Sequence, residues 1–204
     1  MKTPSTAPAQ VRAHQIAQLV AELCAPAVLV ALVTTGFALA TSPTLLSGIA
    51  WTLASAGLCA GVPFAVMAHG ARTGQWDTHH VRDRADRLRP LAISIGSVVL
   101  GLTLIVAGGA PRPLVALVAG LLGCLVAETV ITRWWKISLH AGIAAGALAS
   151  LVSAYGPGWW WATVAVVAVG WSRVSTGDHT VAQVIAGASL GFAVTGGLYL
   201  AVLA

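Results

Sequence analysis

Long apolar runs separated by short polar or proline-containing breaks make up almost the whole chain, and a run of about 20 apolar residues is enough to cross a lipid bilayer as a helix. From Cys24 to Ala71 there is no charged residue, and Thr41-Ser42-Pro43-Thr44 divides that stretch. It predicts a first span over residues 15–40 and a second over 45–69. A polar segment follows at 72–90, holding eight of the seventeen charged residues. A third span is expected at 91–109, ended by the proline-rich turn Ala110-Pro111-Arg112-Pro113, and a fourth at 114–132. The fifth is expected at 138–153, the turn Tyr155-Gly156-Pro157-Gly158 comes next, and the sixth and seventh cover 159–171 and 179–204. The fifth and sixth are short for a bilayer, which places their polar ends within the headgroup layer.

Composition identifies the solvent. Hydrophobic residues make up 57% of the 204 residues and charged residues only 8%, against a usual charged share of about 25%. Mean hydropathy is +0.85. Too few charged side chains exist to cover a water-soluble fold of this size, so the expected fold is an all-α integral membrane bundle of about six or seven transmembrane helices. Disorder, coiled coil and a secreted disulfide scaffold fail on the same numbers. Cys24, Cys59 and Cys124 lie far apart in apolar stretches with no CxxC spacing, and read as buried free thiols. The N-terminal apolar run is too long for a signal h-region and leads into another span, so it reads as an uncleaved helix.

The net charge of +5 concerns topology, anionic headgroups or an anionic substrate rather than nucleic acid. With seven spans, the N-terminus and the segments 72–90, 133–140 and 172–179 share one side, and ten of the eleven Lys and Arg residues lie there. Only Arg112 lies opposite. Setting aside Arg82, Arg89, Lys136 and Arg173 as substrate ligands still leaves six against one, so the positive-inside rule makes that side cytoplasmic in a multi-pass cell-membrane protein. Trp76, Trp134, Trp135 and Trp171 mark one interface, and Trp51 and Trp159 to Trp161 the other.

The titratable groups collect on the same side. His140 opens the fifth predicted span and His179 the seventh, with Lys136 four residues before the first and Arg173 six before the second. A helix start offers unsatisfied N–H groups and a positive dipole end, which suit an anion. Arginines neutralise phosphoryl oxygens bidentately. Of two imidazoles, one can attack phosphorus while the other, protonated, gives its proton to the leaving oxygen. Taken singly, each residue also fits an interfacial polar role, with arginines snorkelling to headgroups. Asp178 reads as an acid near a helix N-cap or a partner of Arg173, and Glu128 as a partner of Arg133 one helical turn away. No cofactor is called for. His14, His69, His79 and His80 fit a polar rim as well as a metal site, and no metal is assigned. Gly187, Gly191, Gly196 and Gly197 form a small-residue pattern suited to close helix packing.

Three blocks in order carry a resemblance. Arg82, six residues, then Arg89-Pro90 form the first; Lys136-Ile137-Ser138-Leu139-His140 the second; Ser172-Arg173, five residues, His179 and then Gln183 the third, continuing as Val184-Ile185-Ala186-Gly187. They resemble the Lys-x6-Arg-Pro, Pro-Ser-Gly-His and Ser-Arg-x5-His-x3-Asp blocks of the type-2 phosphatidic acid phosphatase superfamily, membrane lipid phosphatases related to the histidine acid phosphatases. Arg82 replaces a lysine, Leu139 a glycine and Gln183 an aspartate; His179-Thr180-x-x-Gln183-Val184 is similar to the matching block of dolichyl diphosphate phosphatases. The resemblance covers roughly residues 82–187. It implies a histidine-acid-phosphatase-like core at 72–204, with 1–71 as a tail and two additional helices.

It further implies His179 as the nucleophile forming a phosphohistidine and His140 as the general acid. Arg89, Arg173 and Arg82 would bind phosphate, helped by the Ser138 hydroxyl, and Lys136 would add a cation for a diphosphate. Gln183, four residues after His179, would accept its Nδ1–H without bringing a charge. The implied substrate is a lipid-linked phosphate or diphosphate, with the third block favouring a polyprenyl chain. Alternatives are a phosphatidate or phosphatidylglycerophosphate phosphatase and an inactive lipid-binding relative. A transporter is a third class, but neither internal repeats nor broken mid-membrane helices stand out in the sequence.

Overall fold

The computed structural model describes residues 8–75 and 84–204. Arg82 of the first block, and Lys2, Trp76, His79 and His80, lie outside the described residues. Among the described residues the regular structure is all helix, with no strand. In order come α1 (Pro8–Leu23), α2 (Pro26–Thr41), α3 (Leu45–Ala56), a π-helical turn (Gly57–Gly61), α4 (Val62–Arg72), α5 (Arg84–Ala107), α6 (Arg112–Thr132), α7 (Leu139–Tyr155), a 3₁₀ segment (Pro157–Ala162), α8 (Thr163–Ser175) and α9 (Val181–Leu203).

The expected first span is two helices. α1 and α2 meet at a bend of 46°, because Pro26 lacks an N–H and pushes Ala25 into an extended conformation (φ −58°, ψ 147°). The second span is continuous from Leu45 to Arg72 but widens through the π turn, where the Ser97 hydroxyl donates to the Leu58 carbonyl at 2.7 Å. α5 starts inside the polar segment rather than after it, with Pro90 within the helix. The sixth expected span opens as the 3₁₀ segment and leaves α8 only 13 residues long.

Among the described residues, four helices are long and apolar enough to cross a membrane, or five if the bent α1–α2 pair counts as one span. That is fewer than the six or seven expected, since α7 (17 residues) and α8 (13 residues) fall short. The outer surface supports lipid as solvent: Leu46, Leu53 and Val164 are 79%, 71% and 73% exposed. The interior, by contrast, holds Glu128, His140, Arg173, Asp178 and His179.

The tightest packing is between α7 and α9 and between α6 and α9. Glycines make it possible. A Cβ on Gly191 would fall on the backbone of Gly142, one on Gly187 on the Ser138 carbonyl, and one on Gly120 would approach the Thr195 carbonyl to 2.7 Å. Gly196 faces Ala149, whereas Gly197 faces open space, so the expected small-residue pattern serves packing at three of its four positions. At the opposite end, Arg112 donates to the Val202 carbonyl at 2.8 Å, satisfying a backbone acceptor in the last turn of α9.

Candidate functional site

The α6–α7 and α8–α9 connections come together where the Ser138 N–H donates to the Gln183 carbonyl at 3.3 Å. This bond ties the second sequence block to the third. Ser138 is the N-cap of α7, its hydroxyl accepting from the Ala141 N–H at 3.5 Å. That places His140 in the first turn of α7, as its position in the sequence suggests.

His179 does not open a helix. It precedes Thr180, which is the N-cap of α9. Thr180 and Gln183 form a capping box, a Thr-x-x-Gln signature that the sequence carries openly. Gln183 also serves the histidine. Its Oε1 accepts from the Thr180 N–H at 3.1 Å and lies 3.2 Å from His179 Nδ1. A backbone N–H can only donate, so the atom facing both groups is the amide oxygen, and Nδ1 must carry the proton. In the neutral imidazole this tautomer puts the lone pair on Nε2, the form a nucleophile requires.

Arg173 lies in the last turn of α8 and is 1% exposed. Its carbonyl accepts from the Asp178 and His179 N–H groups, each at 3.1 Å, so the chain folds back on the arginine before reaching the histidine. Its Nη2 is 2.9 Å from Asp178 Oδ2, which also accepts from the Thr176 hydroxyl at 2.6 Å. Asp178 is therefore a buried counter-ion of Arg173, not simply an acid near a helix start.

His140 and His179 are 7% and 6% exposed and line one cavity of about 320 Å³. Glu128 and Thr132 of α6 belong to the same wall, and the rest is mostly apolar, drawn from α2, the π turn, α4, α5, α6 and α7. The remaining expected residues stand apart from it. Ser138 is buried, Lys136 is half-buried between α6 and α7, and Arg89 is exposed on α5; none of these three, nor Arg173, lines the cavity.

Two contributions to the cavity wall escape sequence reasoning. Glu128 (1% exposed) occupies the space a Cβ on Gly142 would take, close to the Gly187 carbonyl. It is thus wedged at the α7–α9 crossing, while Arg133 lies over the Trp134 ring at 5.9 Å. A lone glutamate in an apolar run was the available signal. The second is the N-terminal pair: Glu22 of α1 and residues 25–28 at the bend line the cavity, so these helices help to build it. Among the described residues no group of three or more His, Cys, Asp or Glu is placed to hold a metal ion. No family model, curated protein or solved structure matches this chain.

Proposed function

We propose that this chain is a membrane lipid phosphatase of the type-2 phosphatidic acid phosphatase kind, acting on a lipid-linked phosphate or diphosphate through a phosphohistidine. The observation that carries the reading is the meeting of His140 and His179 on one cavity whose remaining wall is largely apolar. Two imidazoles beside an apolar chamber suit a molecule with a phosphate at one end and hydrocarbon at the other.

In the proposed reaction His179 Nε2 attacks phosphorus and the bond to the leaving oxygen breaks. His140 gives its proton to that oxygen, releasing the lipid alcohol from a monophosphate or the lipid monophosphate from a diphosphate. His140, now neutral, takes a proton from water, whose oxygen attacks the phosphohistidine; inorganic phosphate leaves and His179 is regenerated. Gln183 holds the tautomer throughout. Arg173, ion-paired with Asp178, and Ser138, Lys136, Arg89 and Arg82 keep the phosphate-binding roles that the resemblance implies. The third sequence block favours a polyprenyl substrate, and the excess of Lys and Arg in the segments that carry the blocks favours a site at the cytoplasmic face of the cell membrane.

A second reading is a lipid-binding relative without chemistry. It is favoured by the engagement of Arg173 with Asp178 and by Glu128 on the cavity wall, since a carboxylate there opposes an anion. One assay decides. Purified protein in detergent with EDTA is expected to release phosphate from farnesyl diphosphate, and His179→Ala to abolish the release. Unchanged turnover in that variant overturns the mechanism, and no turnover of prenyl or glycerolipid phosphates by the parent protein supports the second reading.

A further inference from the structure

The cavity continues well beyond the two histidines. On α6 its wall runs from Thr132 to Val118, roughly 21 Å at about 1.5 Å per residue. Thr132 lies at the end of α6 that leads into the His140 segment, so Val118 marks the far end. Cys59 of the π turn and Val98 of α5 also line this chamber. A volume of about 320 Å³ has room for about ten methylene-sized groups at about 30 Å³ each, fewer than two chains lying side by side along its length of roughly 21 Å would need.

The chamber has a sideways mouth. Val28 of α2 and Phe64 of α4 belong to its lining and are also exposed. Between α2 and α4 the bundle is held together through the π turn, which packs on both. The lining therefore reaches the outer apolar surface beside Val28 and Phe64.

We propose that the chamber seats the phosphate-proximal segment of a single hydrocarbon chain, with its end wall at Val118, Cys59 and Val98 and its exit between Val28 and Phe64. At about 30 Å³ per methylene-sized group, its volume takes roughly ten such groups, and the remainder of a longer chain lies in the bilayer. The site thus discriminates against lipids whose phosphate is followed by two acyl chains. This deepens the phosphatase reading and rests on it for the position of the phosphate.

The test uses the full chain in detergent micelles and two photo-crosslinking probes. One is a prenyl monophosphate with a diazirine on its second isoprene unit; the other is a diacyl phosphatidate with diazirines at the same depth. The prenyl probe is expected to label the peptides holding Cys59, Val98 and Val118, and unlabelled farnesyl phosphate to suppress that labelling. The phosphatidate probe is expected to label the chamber at least tenfold less. Prenyl labelling confined to outward positions such as Leu53 and Val164, or equal chamber labelling by both probes, overturns the proposal.

Phosphate release is measured in parallel with unlabelled farnesyl phosphate and phosphatidate. A kcat/KM at least tenfold higher for the prenyl substrate is expected, and parity overturns the single-chain selectivity. Chamber labelling without release from either lipid removes the phosphatase reading and leaves the binding site standing. Release with labelling only on the outer surface does the reverse.

Discussion

Gln183 does the work of two residues. Its side-chain oxygen closes the capping box at the start of α9 and holds His179 Nδ1. Loss of an N-terminal cap costs about 1 kcal/mol, and loss of the group that fixes an imidazole tautomer costs on the order of 10²–10⁴ in kcat. Gln183→Ala is therefore expected to lower stability only modestly while nearly abolishing turnover. Gln183→Glu, which keeps an acceptor oxygen for both contacts and adds a charge favourable at a helix N-terminus, is expected to retain most of each. Thermal unfolding in detergent, read beside phosphate release, checks both variants. The His179–Gln183 relation was legible because it depends on a spacing of four residues. That His179 stands before the N-cap, rather than inside the helix, was recoverable from Thr180 and Gln183 as a capping box. The Arg173–Asp178 pair was legible only as one of two alternatives, because a five-residue separation crosses a turn whose path is set by backbone bonds to the Arg173 carbonyl.

At the scale of elements, the crossing of α7 and α9 decides whether a site exists, because it brings the two histidine segments together. In a helix interior, Gly to Ala normally stabilises by about 1 kcal/mol. At Gly191 the added Cβ meets the Gly142 backbone, whereas at Gly197 it meets nothing within 4 Å. Overpacking costs about 1–3 kcal/mol or more where backbone must move, so the clash outweighs propensity at the first position only. Gly191→Ala is expected to destabilise the protein and lower phosphate release, and Gly197→Ala to stabilise it by about 1 kcal/mol with turnover unchanged. Chemical denaturation of the two variants in parallel gives the sign of each effect. Helix boundaries followed the sequence at Thr44, Pro111 and Ser138, where a cap or turn stood in it. The reading missed the break at Pro26, where an apolar run long enough for one span hid a residue that cannot continue a helix.

For the whole molecule, the proposed orientation rests on the charge pattern of the sequence. Ten of the eleven Lys and Arg residues fall in the segments expected to share a side with His140 and His179, and Arg112, the exception, is engaged by a carbonyl of α9. In a background lacking Cys24, Cys59 and Cys124, Trp161→Cys is expected to react with an impermeant maleimide in intact cells, and Trp134→Cys only after permeabilisation; both side chains are exposed. The opposite pattern reverses the proposed topology. What the sequence determined by itself was local or compositional: lipid as solvent, apolar helices with their turns and caps, and the three ordered blocks. Those properties depend on neighbours within a turn or two and on total apolarity. The tertiary structure alone decided that α1 and α2 line the chamber, that Glu128 lies between two glycine-bearing helices, and that His140 and His179 share one cavity. The physical reason is that helices in lipid are apolar on nearly every face. They carry no hydrophobic stripe to record which side packs inward, so helix rotation and partner are set by glycine-scale steric fit between residues distant in the chain.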